Sequence, residues 1–263
     1  MRARRAVTPW ALIGIATIGG LFVVVPLAAL LARAPWSETG DQLSSPGVRD
    51  ALRLSIITSV LATVLALVLG VPLAWVQARV AFPGRRLLRA LTTLPLVLPP
   101  VVGGVALLLA FGRNGMVGSW LDDAFGIRLP FTTAGAVLAA TFVALPFAVL
   151  TVEAGLRAAD RRLEDAARSL GAGPGMVFWR VTLPAIRPSL IAAATLCWAR
   201  ALGEFGATVT FAGSFPRRTQ TLPLAVYVAL ERDPEVAVML SLVLLALSVV
   251  VLVALRDRWL IRA

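Results

Sequence analysis

Arg200 and Glu204 stand four positions apart inside an otherwise apolar stretch. Four residues are a little over one helical turn, so both side chains share a helix face. Charges within lipid are costly unless they pair or face water. Two readings follow: an ion pair that locks helices together, or a gate on a transport path that pairs in one state and parts in another. Gly203 and Gly206 would permit close helix approach, and Thr208 and Thr210 add hydroxyls on the same general surface. Covalent catalysis has little to draw on. The chain has no His and one Cys, Cys197, so an imidazole metal site and any CxxC pattern are excluded. It has no GxxxxGK[ST] phosphate loop either, so an ATPase of that type would have to be another polypeptide.

A second set of residues lies in an arginine-rich stretch, 153–188, between apolar runs. Asp160 is placed to cap a helix, and the run from Leu163 through Glu164, Asp165, Ala166, Ala167 and Arg168 to Leu170 is rich in helix formers. Acidic residues come early and Arg168 late, as the helix dipole favours. Gly171 can end that helix in a left-handed conformation. Pro174 can begin a second one, which ends near Leu183 and Pro184. Adjacent Ala166 and Ala167 would give a smooth face for another protein. The plain alternative is a solvated connector.

The elements that must position these residues are membrane helices. Of 263 residues, 59% are hydrophobic and 15% charged, against about a quarter charged in soluble domains. Six runs are long enough to cross roughly 30 Å of hydrocarbon: residues 10–32, 54–78, 91–112, 131–152, 189–213 and 236–255. The expected fold is an all-α integral membrane protein, one transmembrane domain over 1–263. No clear internal repeat divides the six spans into halves.

The net charge is +11, and every basic residue is Arg. In a soluble chain that would suggest nucleic acid; in this one it reads as loop charge that fixes orientation. With the N-terminus inside, sixteen arginines fall in inner segments and eight in outer ones. The bias places both termini in the cytoplasm. The apolar run after Met1-Arg-Ala-Arg-Arg is about twice the usual signal-peptide core, so it reads as a retained first span. Cys197 reads as a small buried apolar residue.

The third run is interrupted by Pro95, Pro99, Pro100, Gly103 and Gly104. Proline frees backbone carbonyls that must find partners in protein or water. This run is either a kinked packing helix or a wall of a transport path.

The 153–188 stretch resembles the cytoplasmic loop of ABC-importer permeases. That pattern is Glu-Ala-Ala, three residues, Gly, nine residues, Ile, one residue, Leu-Pro. Asp165, Ala166 and Ala167 match the start, with Asp for Glu. Gly171, Val181 (for Ile), Leu183 and Pro184 complete it. Asp shortens the acidic arm by one methylene, and Glu164 next door could substitute. The run Ala201 to Thr208, the Thr219-Gln-Thr-Leu-Pro-Leu224 segment, the Leu94 to Val102 run and Asn114-Gly115 resemble the molybdate-type permease. Sulfate and thiosulfate permeases share much of this and form the alternative. The resemblance implies a bacterial cell-membrane, multi-pass subunit that acts as a homodimer. Its partners would be two ATP-binding-cassette subunits, which carry ATP and Mg, and an extracytoplasmic oxyanion-binding protein. Glu164 to Gly171 would form a coupling helix that docks in the ATPase. Pro99, Pro100, Gly103 and the Arg200 to Thr210 segment would line the path. The chain itself would hold no cofactor or metal and do no covalent chemistry. A proton-coupled carrier and a membrane-embedded enzyme are the rivals from other classes.

Overall fold

The computed structural model describes residues 10–37, 40 and 44–260, with side chains to 251 and at 253 near the C-terminal end. Arg2, Arg4, Arg5 and Arg262, which support the expected inner placement of both termini, lie outside the described residues. Among the described residues there is no strand.

The major helices are α1 (Trp10–Ala32), α2 (Pro46–Arg79), α3 (Arg85–Val97), α4 (Pro100–Phe111), α5 (Gly118–Phe125), α6 (Thr133–Ala158), α7 (Arg161–Ser169), α8 (Arg187–Leu202), α9 (Gly206–Ala212), α10 (Leu222–Arg232) and α11 (Pro234–Leu260). By length and composition α1, α2, α6 and α11 can each cross a bilayer. Counting two bent helix pairs as broken spans raises the total to six.

Four expectations shift for identifiable reasons. Helix α2 begins at Pro46, not near residue 54, because Ser45 caps it by accepting the Val48 N–H and proline suits the first turn. Residues Pro46 and Gly47, which resemble turn signals in sequence, are therefore helical. The 91–112 run is two helices, bent by 119° between α3 and α4. Leu98 and Pro99 are both extended, at ψ 132° and 133°, as residues preceding proline tend to be. Helix α4 alone spans only about 18 Å at 1.5 Å per residue. The 189–213 run also breaks between α8 and α9, and α8 itself is bent by 73° from the preceding Pro174–Ala185 segment. The 214–235 region, between the fifth and sixth apolar runs, contains α10, which starts at the Leu222-Pro223 pair.

Helix α6 is the centre of the bundle. Thr132 caps it by accepting the Gly135 N–H at 3.0 Å. It packs on α2 and α8 through small residues: Ala62, Ala66, Ala140, Ala144, Ala148, Cys197 and Ala201 form one buried cluster. A Cβ on Gly70 would stand 2.7 Å from the Ala148 Cβ. Between apolar helices in lipid, such close approach supplies the attraction. Cys197 is fully buried in this cluster, as its composition suggested. Helix α1 has no buried residue.

Candidate functional site

The first candidate centre is the α6–α8 connection. Asp160 caps α7 by accepting the Arg162 N–H at 2.9 Å. Gly171, at φ +86°, closes the helix: its N–H reaches Arg168 O at 2.9 Å and the Ala172 N–H reaches Ala167 O at 3.0 Å. This paired pattern uses the carbonyls that a helix end leaves free. After Pro174–Val177 the chain forms a π-helical turn, Phe178–Thr182, in which the Leu183 N–H bonds Phe178 O. That wide turn absorbs Pro184, which has no N–H to give. Leu183 and Pro184 are half-buried, and Ile186 beyond them packs with Val152, Leu156 and Ala193.

The two neighbouring carboxylates differ in burial, although Arg168 reaches both, at 3.5 Å to Glu164 Oε2 and 2.8 Å to Asp165 Oδ1. Glu164 is the one buried residue of α7. Its Oε1 lies 2.9 Å from Arg79 Nη2, at the end of α2, and accepts the Thr182 hydroxyl at 3.2 Å. Asp165 points out and pairs with Arg168 at 2.8 Å. Leu163 and Leu170 are 55% and 88% exposed, with exposed Ala166 between them. These three recur at helical spacing, so α7 presents an apolar ridge flanked by Asp165. Met176 and Trp179 extend the exposed apolar surface beyond the helix.

Sequence reasoning missed the anchors of this loop. Arg79 and Thr182 hold Glu164, and Arg161 donates to Ala78 O at 3.2 Å. Nearby, Glu153 on α6 binds both Arg157 and Arg89 of α3. Gln77 of α2 donates to Thr92 of α3 at 3.0 Å. Only the Glu153–Arg157 pair, four residues apart, carried a readable signal.

The second candidate centre is the α8–α9 break. Arg200 Nη2 is 2.6 Å from Glu204 Oε2, with side chains 28% and 2% exposed. The other oxygen, Oε1, accepts the Ala207 N–H at 2.7 Å and so caps α9. The Glu204 carboxylate thus spans the break between α8 and α9. Thr208 is buried, and Thr210 donates its hydroxyl to Gly206 O at 2.8 Å. Helix α4 lies directly against α9. A Cβ on Gly206 would stand 2.8 Å from Pro100 Cβ, and one on Gly104 would stand 2.6 Å from Thr210 Cβ. Gly103 faces the Phe142 ring. The structure therefore brings Pro100 to Gly206 and Arg200 to Glu204. Gly203 and Pro99 are exposed on the bundle surface. Among the described residues, no group of three His, Cys, Asp or Glu side chains is arranged to hold a metal.

The chain is similar to known proteins. The molybdenum transport system permease protein ModB of Mycobacterium tuberculosis is 47% identical over 243 residues, 92% of each chain. ModB of Escherichia coli K12 is 41% identical over 212 residues, 81% of this chain and 93% of its own. The sulfate transport system permease protein CysT of the same organism is 35% identical over 236 residues, 88% of this chain and 85% of its own. Among solved structures, a bacterial ABC transporter involved in import of the acidic polysaccharide alginate superposes with a TM-score of 0.77. That match covers 95% of this chain and 94% of that one at 16% identity, so it speaks for the fold alone. Residues 66–262 match the family described as binding-protein-dependent transport system inner membrane component, and the chain belongs to that family.

Proposed function

We propose that this chain is the membrane-spanning permease subunit of a molybdate importer, driven by a separate ATP-binding-cassette ATPase. The observation that carries the mechanical half is the α7 ridge. Leu163, Ala166 and Leu170 face away from the bundle while Glu164 ties the back of the same helix to it. An exposed apolar edge on a rigidly held helix favours a protein partner. In this reading α7 is the cytoplasmic coupling helix and docks in the ATPase. Both termini are then cytoplasmic, α10 lies toward the outer face, and two copies of the chain enclose the path. ATP-driven closure of the motor draws the two α7 helices together. The α4–α9 layer, with Pro99, Pro100, Gly103, Arg200, Gly203, Glu204, Gly206, Thr208 and Thr210, then opens outward to receive the oxyanion from its binding protein. Hydrolysis resets the assembly.

Molybdate is favoured over sulfate by the higher identity to the molybdenum permeases than to the sulfate permease. An oxyanion carries two charges and a tight hydration shell, so a path for it needs hydrogen-bond donors, which Arg and Thr side chains supply.

The test is reconstitution of the permease with its ATPase in vesicles, with the binding protein outside. Molybdate uptake should require ATP and the ATPase, and tungstate should compete far better than sulfate or thiosulfate. Uptake by the permease alone would make it a secondary carrier. Equal competition by sulfate would reassign the cargo.

A further inference from the structure

We infer that Arg79 is a positioning residue for coupling, fastening the docking helix to the end of α2 so that force entering at α7 passes into the bundle through the Arg79–Glu164 pair. The inference rests on the reading of α7 as the ATPase-docking helix. Arg79 is the last residue of α2 and Glu164 the fourth of α7, yet their side chains meet at 2.9 Å and are 7% and 6% exposed. Arg161 holds the carbonyl of Ala78 on the same helix end, and Thr182, from the return arm of the loop, shares Glu164 Oε1. The first arm of the loop therefore reaches the last turn of α2 directly, and the return arm reaches it through Glu164.

From that turn a route leads into the proposed path. Gln77, two residues before Arg79, is fully buried and bonds Thr92 of α3. Helix α3 ends at the Leu98–Pro99 break, beyond which α4 lies against α9 through Gly104 and Gly206. Helix α2 itself packs along α6 and α8. Rigid helices joined by close-packed contacts pass a displacement on rather than absorbing it.

Stability alone is a poor reason for this pair. A buried ion pair often stabilises no more than an apolar pair of similar volume, and its better-attested role is to fix one arrangement. Arg79 also leaves its buried Nε without a hydrogen-bond partner among the described residues, a cost that packing for stability would avoid.

The experiment uses the full permease with its ATPase subunits in vesicles and reads molybdate moved per ATP hydrolysed. Replacing both partners, Arg79→Met with Glu164→Gln, removes the tie without stranding a charge. Molybdate moved per ATP hydrolysed should fall about tenfold. Arg79→Lys alone, which keeps the charge, should restore most of the ratio. A wild-type ratio in the double variant overturns the inference. If that variant does not assemble, Glu164→Asp decides in the same assay, because its arm is shorter by one methylene. A fall of about threefold supports the inference and an unchanged ratio overturns it. Leu170→Asp separates this inference from the reading beneath it. If the ATPase stays bound to that variant as to wild type, the docking reading fails and the role of Arg79 falls with it. If the ATPase is lost there while the double variant transports at the wild-type ratio, only the role of Arg79 falls.

Discussion

The Glu204 carboxylate lies 2.6 Å from the Arg200 guanidinium, one turn back and across the end of α8. Its second oxygen caps α9. One side chain therefore holds both edges of the α8–α9 break, and the two interactions can be separated. Glu204→Gln keeps an oxygen for the cap and loses the ion pair. Glu204→Ala loses both and leaves Arg200 alone. We predict a stability loss of about 1 kcal/mol for Gln and about 2–3 kcal/mol for Ala, read from thermal unfolding in detergent. Equal losses would mean that the cap contributes nothing.

Adding one methyl group should separate two classes of glycine. At Gly104 the new Cβ would meet Thr210 Cβ at 2.6 Å and the Ala207 carbonyl at 3.0 Å. Neither can yield without moving α9. At Gly103 it would meet only the Phe142 ring, nearest at 3.1 Å, and a ring can swing. Gly104→Ala should cost about 1–3 kcal/mol, within the usual range for overpacking, and Gly103→Ala clearly less. The ordering of their unfolding midpoints checks this, and a reversal would show that α4 and α9 are loosely seated.

Gly171 tests the backbone without the packing. Its φ is +86°, and nothing lies within 4 Å of a Cβ built there. A substitution would therefore act through conformation alone. Gly171→Val should cost roughly 1–2 kcal/mol locally and reduce transport per ATP, whereas Gly171→Asn should be mild, since Asn tolerates this region. Gly173, two residues on, has an ordinary φ of −68° and equally open surroundings. Gly173→Ala is the control and should change nothing. Full coupling in Gly171→Val would argue that the end of α7 need not be rigid.

What sequence could disclose follows from the range of each force. Helix α7 was legible because its determinants are local: Asp160, Arg168 and Gly171 act within a turn or two of themselves. The apolar runs of α1, α2, α6 and α11 are likewise local features, each 18 residues or longer. The inward turn of Glu164 was not legible, because its partner Arg79 is 85 residues away. Periodicity marks both Glu164 and Asp165 as polar and gives no ground for choosing which one is buried. The α8–α9 break was hidden for a related reason. Gly203 and Gly206 read as packing residues, and only the Glu204 cap on Ala207 turns the segment into two helices. Pro99 and Pro100 disclosed an interruption but not its angle, which depends on where α4 packs.

Asp165 offers the cleanest separation of docking from folding. Its side chain is 68% exposed, and its partner Arg168, 52% exposed, is three residues on. Such a surface pair contributes about 0–1 kcal/mol, so Asp165→Asn should leave the unfolding midpoint of the isolated permease unchanged. If the α7 ridge is the docking surface, the same change removes a charge at the rim of the contact. Rim charges act mainly on association rate and its salt dependence. The ATPase should therefore bind the variant more slowly at low salt, with the difference shrinking as ionic strength rises, in surface-plasmon measurements on nanodisc-held permease. Leu163→Asp, in the apolar part of the ridge, should weaken binding at every salt concentration, because it places an unpaired charge in the contact. Identical binding of both variants and wild type would place the ATPase elsewhere on the chain.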